Sequence, residues 1–373
     1  MIYFDNAASG HPKPGTVVKC AMRAVRKYGN PGRSGHRLSV EAEKEIYETR
    51  EKIASYFNAA SPERIVFTLN ATHALNLALG VLYRKGDHIL LSDLEHNASF
   101  RPVHRLYEEG AVSYGFFSHH GNVLDNLEKA RTPRTRIIVC TQASNVSGHA
   151  MPLQEIGRYC ADNHLLLIVD GAQGAGHIET DLTEIGCSAY CTSGHKGLQG
   201  IQGCGFCAFG TENFERDYVS GGTGSESFLP GMPRLLPDRF EAGTAATPAI
   251  LSLGEGIRVL QKSQKQIERM HRLTEMMHEV LGGYEGIRLV SDADNKCGIV
   301  SLCMEGADHI RLYNALEKRG FCLRSGYHCA PIAHRTLHTE KQGCIRVGLG
   351  IFNTEREVRL FLSETRQILR TLR

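Results

Sequence analysis

Leu165-Leu166-Leu167-Ile168-Val169-Asp170-Gly171-Ala172-Gln173 is the stretch that decides the fold. An apolar run of this kind reads as a buried strand that ends in a carboxylate. A little further on, Thr192-Ser193-Gly194-His195-Lys196-Gly197 sets a lysine among small and polar residues. Together the two segments suit pyridoxal phosphate (PLP). A lysine amine can form a Schiff base with the cofactor aldehyde, and an aspartate can keep the pyridine nitrogen protonated, so that the ring acts as an electron sink. Far downstream, Arg324-Ser325-Gly326-Tyr327-His328-Cys329-Ala330-Pro331 places a cysteine in a compact loop that carries a glycine. An electron sink with a mobile thiol points to sulfur chemistry on an amino acid.

Outward from Asp170, strand and helix patterns alternate. Helical periodicity covers 16–28 and 39–58, and helix signals recur over 74–79, near 100–110 and over 153–163. Strands are expected at 65–67, 88–92, 111–116 and 137–141, and Gly203–Phe209 reads as a short buried strand. Apolar strands alternating with helices predict a mostly parallel α/β sheet covered on both faces. From about 250 the character changes. A long amphipathic helix is expected over 248–281, then strands at 287–290 and 298–304, a helix near 307–319, a strand at 344–348 and a terminal helix from Thr354. The expected division is a large PLP-binding domain over 15–250, and a smaller α+β domain built from 1–14 and 251–373 that carries the Cys329 loop. A continuous helix is expected at the boundary.

Composition sets outer bounds. With 373 residues the chain fits one large and one smaller unit. A net charge of +3, without a basic tail or a run of like charge, argues against nucleic acid or an anionic membrane as partner. The start, Met1-Ile2-Tyr3-Phe4-Asp5-Asn6-Ala7-Ala8, lacks the features of a signal peptide, and no apolar run is long enough to span a bilayer. Twelve cysteines in such a chain are expected to be reduced thiols in the cytoplasm. Cys204-Gly205-Phe206-Cys207 has redox or half-zinc spacing, but it lies in a strand pattern with no second pair, so a structural role is expected. Cys187 and Cys191 are read the same way.

Open α/β sheets bind ligands beyond the carboxyl ends of their strands. Thr68-Leu69-Asn70-Ala71-Thr72-His73 lies at such a joint, where amides and the Thr72 hydroxyl can hold a phosphate at a helix N-terminus or simply cap the helix. Glu95-His96-Asn97 follows the next strand, and its imidazole is either structural or able to stack on a pyridine ring.

The chain resembles the cysteine desulfurase family of fold-type I PLP-dependent transferases, in the class V aminotransferase superfamily. The resemblance rests on Tyr3–Ala8, Glu95-His96, Ser144-Asn145, Val169–Gln173, Ser193–Lys196, Phe240-Glu241-Ala242-Gly243-Thr244, Arg324–Ala330, Arg346 and Asn353-Thr354, in that order. It implies that Lys196 is the Schiff-base lysine, that Asp170 pairs with the pyridine nitrogen, and that Gln173 and Asn145 sit near the ring hydroxyl or the substrate. His96 would stack on the ring and assist proton transfer. Thr72, Ser193 and His195 would hold the phosphate, with Thr244 reaching in from the partner of a homodimer. Arg346 would bind the substrate carboxylate through its planar fork, Arg324 would help shape that site, and Cys329, with His328 beside it, would be the nucleophile.

The activity implied is conversion of L-cysteine to L-alanine, with a persulfide on Cys329 passed to a sulfur acceptor such as a protein. Selenocysteine lyase acting on L-selenocysteine is the first rival. Another class V activity, an aminotransferase or β-lyase, is the second, and a sulfur-relay scaffold without turnover is the third. The loop around Cys329 is closest to the Suf-type desulfurases and selenocysteine lyases. Departures from that group are Tyr327 for a frequent histidine, Asn70-Ala71-Thr72-His73 for a more usual Gly-Thr-Thr-Glu, the stretch 332–343 with His334 and His338, and a divergent 220–240 where Suf-type enzymes carry an interface hairpin. Cys329, His334 and His338 are read as loop residues, and no metal is expected.

Overall fold

The computed structural model describes residues 1–305 and 308–372. The strands, in chain order, are β1 (Ile2–Tyr3), β2 (Ile65–Thr68), β3 (His88–Ser92), β4 (Ser113–Phe117), β5 (Thr135–Thr141), β6 (Leu166–Asp170), β7 (Ala189–Ser193), β8 (Gly205–Phe209), β9 (Ile287–Leu289), β10 (Ile299–Met304), β11 (Phe321–Cys322), β12 (Arg324–Gly326) and β13 (Cys344–Gly348). Seven of them form one sheet in the order β2-β8-β7-β6-β5-β3-β4. Only β8 runs against its neighbours. The strand that opened the sequence reading lies at the middle of this sheet.

Alternating side chains of β5 show why the strands are apolar throughout. Ile138 and Cys140 pack into one buried cluster, Ile137 and Val139 into the other, so both faces are covered. The helix Ala71–Leu82 lies on one face with Leu75, Leu77, Ala78 and Val81 buried. On the other face the helix Thr247–Leu260 contributes Ile250, Leu253 and Ile257.

A second, antiparallel sheet has the order β12-β13-β10-β9. The chain start joins this part of the molecule. β1 pairs in parallel with β11, and Asp5 bridges to Gly348 at the end of β13. The N-terminal residues therefore run from the small sheet to the sheet edge where Lys196 lies, because Gly10 N and Lys13 Nζ both donate to His195 O, at 2.9 and 2.7 Å.

Two expectations change. The helix expected over 248–281 is two helices, Thr247–Leu260 and Gln264–Gly282. Ser263 makes the break: its amide bonds to Leu260 O at 2.8 Å and its hydroxyl to Val259 O at 2.8 Å, so a side chain takes over a backbone partner and the helix stops. Amphipathic spacing continues across the break, which is why the sequence reads through it. The helix expected near 307–319 is His309–Lys318, and position 307 lies outside the described residues. Between β8 and Thr247 there is no helix or strand among the described residues, so the divergent 220–240 segment carries no β-hairpin. No helix among the described residues is long and apolar enough to cross a membrane.

The C-x-x-C does not gather its thiols. Cys204 is buried in one cluster and Cys207 in the other, on opposite faces of the sheet. Cys207 instead faces Cys191 across the β7–β8 pair, with the sulfurs 3.8 Å apart.

Candidate active site

A cavity of about 250 Å³ lies beyond the carboxyl ends of β3, β5, β6 and β7. Of the nine residues expected at the cofactor, eight line it: Thr72, His96, Asn145, Asp170, Gln173, Ser193, His195 and Lys196. Thr244 does not; it is exposed on the 211–246 segment, beside Phe67 and Glu241.

Asp170 ends β6 and is buried. The Ala172 amide donates to its Oδ1 at 3.0 Å. Burial pushes its carboxyl up, while that amide and the charge of Lys196 hold it down. Gly171 must be glycine, since a Cβ there would stand 2.1 Å from the Tyr190 ring packed under the turn. Lys196 follows β7 in a tight turn. Burial and the nearby Arg346 and Arg324 pull its amine down to about 8, against the opposing pull of Asp170 and Asp5.

His96 caps the helix Asn97–Glu108. Its Nδ1 accepts the Ala98 amide at 2.9 Å, which leaves the proton of the neutral ring on Nε2. Burial, with Lys196 second, pushes it down to about 3, so the ring stays neutral. Beneath it Glu95 is fully buried and holds β3, the helix and β5 together. Oε1 accepts the Ser92 hydroxyl at 2.6 Å and the Thr141 amide at 2.6 Å, and Oε2 contacts the Ser99 hydroxyl. Burial pushes its carboxyl up to about 8.

Three buried polar atoms of the cavity have no partner among the described residues: Asn145 Oδ1, Gln173 Oε1 and His195 Nδ1. Their other atoms are anchored, Asn145 Nδ2 to His328 O at 2.8 Å and Gln173 Nε2 to Ala7 O at 2.9 Å. Buried groups left this way cost free energy unless something polar meets them. With Lys196, Asp170 and the start of the helix Ala71–Leu82, they make a donor and acceptor set that fits PLP.

On the antiparallel sheet Arg346 is buried on β13, with Nη1 on Asn145 O at 3.1 Å and Nη2 on Asp5 Oδ1 at 3.1 Å. Directly across the strand pair stands Arg324. Two guanidinium groups opposite one another, with one aspartate, Asp5, on Arg346, form a place for a further anion. Arg324 also points Nη2 at Cys329 Sγ, 3.7 Å away.

Cys329 is exposed, while most of the other cysteines are buried. Both His328 and Cys329 adopt left-handed backbone, with φ of 48° and 58°. The strain is held by tethers to the joints that follow β3 and β5: Asn97 N donates to Cys329 O at 2.8 Å, and Asn145 Nδ2 holds His328 O. The expectation of an imidazole beside the thiol is corrected here. The His328 ring turns inward, donates from Nε2 to Cys344 O at 3.1 Å, and is pushed down to about 2 by burial. The cation beside Cys329 is Arg324.

His334 is buried, with Nδ1 on Thr339 Oγ1 at 2.6 Å. The buried group with metal-ligand spacing is His328, His334 and Cys344, whose ligand atoms lie within 4.8 Å of one another. It includes neither Cys329 nor His338. Arg346 and Arg324 are close enough to depress His328, and they oppose a dication there. The sequence reading missed Asp5, Lys13 and Glu95 as site-forming residues. Asp5 and Glu95 stand inside motifs already quoted, and nothing at Lys13 marks it locally.

The chain matches the aminotransferase class V family over residues 2–361. A probable cysteine desulfurase from Methanothermobacter thermautotrophicus is 34% identical, over 98% of this chain and 93% of that one. The apo structure of a cysteine desulfurase from Thermococcus onnurineus NA1 superposes with a TM-score of 0.91 at 30% identity, covering 99% of this chain and 95% of that one. The S-sulfonic acid form of a cysteine desulfurase from Escherichia coli gives 0.88 at 25% identity, over 99% and 94%. With its fold, its cavity and a family match over almost its whole length in agreement, the chain belongs to the aminotransferase class V family.

Proposed function

We propose that this protein is a PLP-dependent cysteine desulfurase that leaves the sulfur of L-cysteine as a persulfide on Cys329. The observation that carries this is the meeting, at one domain boundary, of the Lys196–Asp170 cavity, the Arg324–Arg346 pair and an exposed cysteine held toward them.

Bound in the cavity, PLP supplies an electron sink that makes the substrate Cα–H acidic. Asp170 would hold the ring nitrogen, and Lys196 would carry the cofactor through its amine. Asn145 Oδ1, Gln173 Oε1 and His195 Nδ1 would gain the partners they lack. Arg346 takes the substrate carboxylate, and Asp5 and Asn145 O fix the plane of its fork. Lys196, lowered to about 8, is poised to move the proton at Cα. His96 presents its Nε2–H to the same cavity as a neutral donor. Cys329 then attacks the substrate sulfur. The new S–S bond forms as Cβ–S breaks, the electron pair left on carbon takes up a proton, and the product is alanine.

The two-fold homodimer belongs to this reading: Thr244, exposed away from its own cavity, would serve a partner's. The test is a product assay on purified holoenzyme. Alanine with sulfide in the presence of a reductant supports the reading. Alanine with selenide alone supports a selenocysteine lyase, and a keto acid supports another class V activity. No product leaves only a sulfur-relay scaffold.

A further inference from the structure

A second hollow, of about 370 Å³, opens on the outer side of Cys329. Its walls include Thr72, Asn76 and His96, then Asn97, Arg101 and Arg105 along the helix Asn97–Glu108. It shares Thr72, His96 and Ala98 with the cofactor cavity, so the two spaces adjoin, and Cys329 lines the outer one. The thiol loop is fastened to this helix by the bond from Asn97 N to Cys329 O.

The charge of the hollow is one-sided. Arg101 and Arg105, four residues apart, lie on one helix face, and Arg324 approaches Cys329 from the other side. No aspartate or glutamate lines the hollow. Arg101 has no ion-pair partner among the described residues. Arg105 has only Glu109, 4.0 Å away, and both are more than half exposed, so its charge is largely unspent. Proposed catalysis uses neither arginine.

We infer that the hollow receives the sulfur acceptor, and that the acceptor is a thiol bearing carboxylates next to its sulfur. The inference rests on the reading of Cys329 as the persulfide carrier. The acceptor thiolate attacks the outer sulfur of the persulfide. A new S–S bond forms on the acceptor as the Cys329 S–S bond breaks, Cys329 leaves as thiolate, and no oxidant or reductant is consumed. Arg101 and Arg105 draw the acceptor in and screen its repulsion from the negative persulfide. The same chemistry is offered by a free dicarboxylate thiol or by a cysteine flanked by acidic residues on another chain.

The test separates the two halves of the reaction. Holoenzyme is loaded with L-cysteine and desalted, and the peptide containing Cys329 is weighed for one added sulfur. Discharge is then timed with mercaptosuccinate, 2-mercaptoethanol and cysteamine, and with cysteine peptides flanked by glutamate or by lysine. Rates are normalised to thiolate concentration, since thiol acidity differs across the series. Acidic acceptors should discharge the persulfide about tenfold faster than cationic ones, and the gap should close as salt is raised.

Arg101→Glu/Arg105→Glu should reverse the preference while loading with cysteine is unchanged. A fast glutamate peptide with slow mercaptosuccinate assigns the acceptor to a protein segment, and the reverse assigns it to a small thiol; both support the inference. Discharge that ignores acceptor charge, at low salt in the wild type, overturns it without any variant. Failure to load Cys329 at all overturns instead the reading of Cys329 beneath it.

Discussion

Glu95 is a buried acid surrounded by neutral donors. Oε1 accepts from Ser92 and Thr141, and Oε2 from the Ser99 hydroxyl, which also meets His96 O at 2.8 Å. Its carboxyl is pushed up to about 8 in the folded chain, and unfolding returns it to about 4.3. Between those values the folded state binds the extra proton, so this contribution is whole below the lower value and is lost as pH rises through the upper one. Glu95→Gln keeps every partner in a neutral form. It should remove roughly 2–4 kcal/mol of the wild type's decline in stability between about pH 5 and 8, read by urea unfolding of both proteins across that range. Lys196 and Arg346 separate differently. Lys196→Ala should abolish the borohydride-fixable yellow chromophore and lower turnover by about 10²–10⁴-fold. Arg346→Lys should keep the chromophore yet raise KM for cysteine about tenfold or more, because a single ammonium cannot reproduce the fork on Asp5 and a carboxylate. Unchanged KM would move the carboxylate to another cation. Lys196 was legible because it stands in a motif of small and polar residues, Arg346 only through the family resemblance, and Glu95 as a site-forming residue not at all. Asp5 as the partner of Arg346 was not legible, because 341 residues separate them and only the closed fold makes the pair.

At the scale of elements, the Cys329 loop decides between sulfur and selenium. It is short, has two left-handed residues, and is tied at both carbonyls to Asn97 and Asn145. A thiol leaves carbon poorly, so in the proposed reaction C–S cleavage would need the Cys329 attack; a selenol is more acidic and leaves with less help. Cys329→Ala should therefore keep its chromophore and bind cysteine, lose nearly all sulfide formation, and retain a substantial share of selenocysteine turnover. Sulfide released at the wild-type rate would show that Cys329 is not the nucleophile. The apolar strands up to Asp170 were readable because such runs on a doubly covered sheet leave little ambiguity, but β7, Ala189-Tyr190-Cys191-Thr192-Ser193, is too polar to stand out and was not expected. β1, β11 and β12 were not, since such short elements carry no period to detect and lack the apolar run that marked β9. The break at Ser263 was hidden because it acts through one hydroxyl rather than through glycine or proline.

For the whole molecule, Thr244 is the residue that a single chain leaves without a task. It lies in the 211–246 segment, where Phe228 is fully exposed and Leu235 is 80% exposed. In the proposed homodimer, large apolar side chains standing out on the segment that carries Thr244 would be covered by the second copy. The segment is anchored by an ion pair that the sequence did not suggest. Arg50, buried under Phe67, pairs with Glu241, whose carboxylate also takes the Phe67 amide at 2.5 Å. Glu241 thus fixes the stem from which Gly243 and Thr244 project, and Arg33 holds Gly243 O at 2.6 Å. If each cavity is completed across the two-fold axis, the phosphate site of one chain depends on the Thr244 of the other. Lys196→Ala and Thr244→Val chains, each impaired alone, should then complement when co-refolded. In the mixed dimer one cavity combines an intact Lys196 with the partner's intact Thr244, and the other combines both lesions. Since mixed dimers form half of a random assembly and carry one working site of two, activity should return to about one quarter of wild type. Each parent assembled alone stays low. No recovery in a mixture whose heterodimers are demonstrated by native mass spectrometry, or full activity in a proven monomer, would place the phosphate site within one chain.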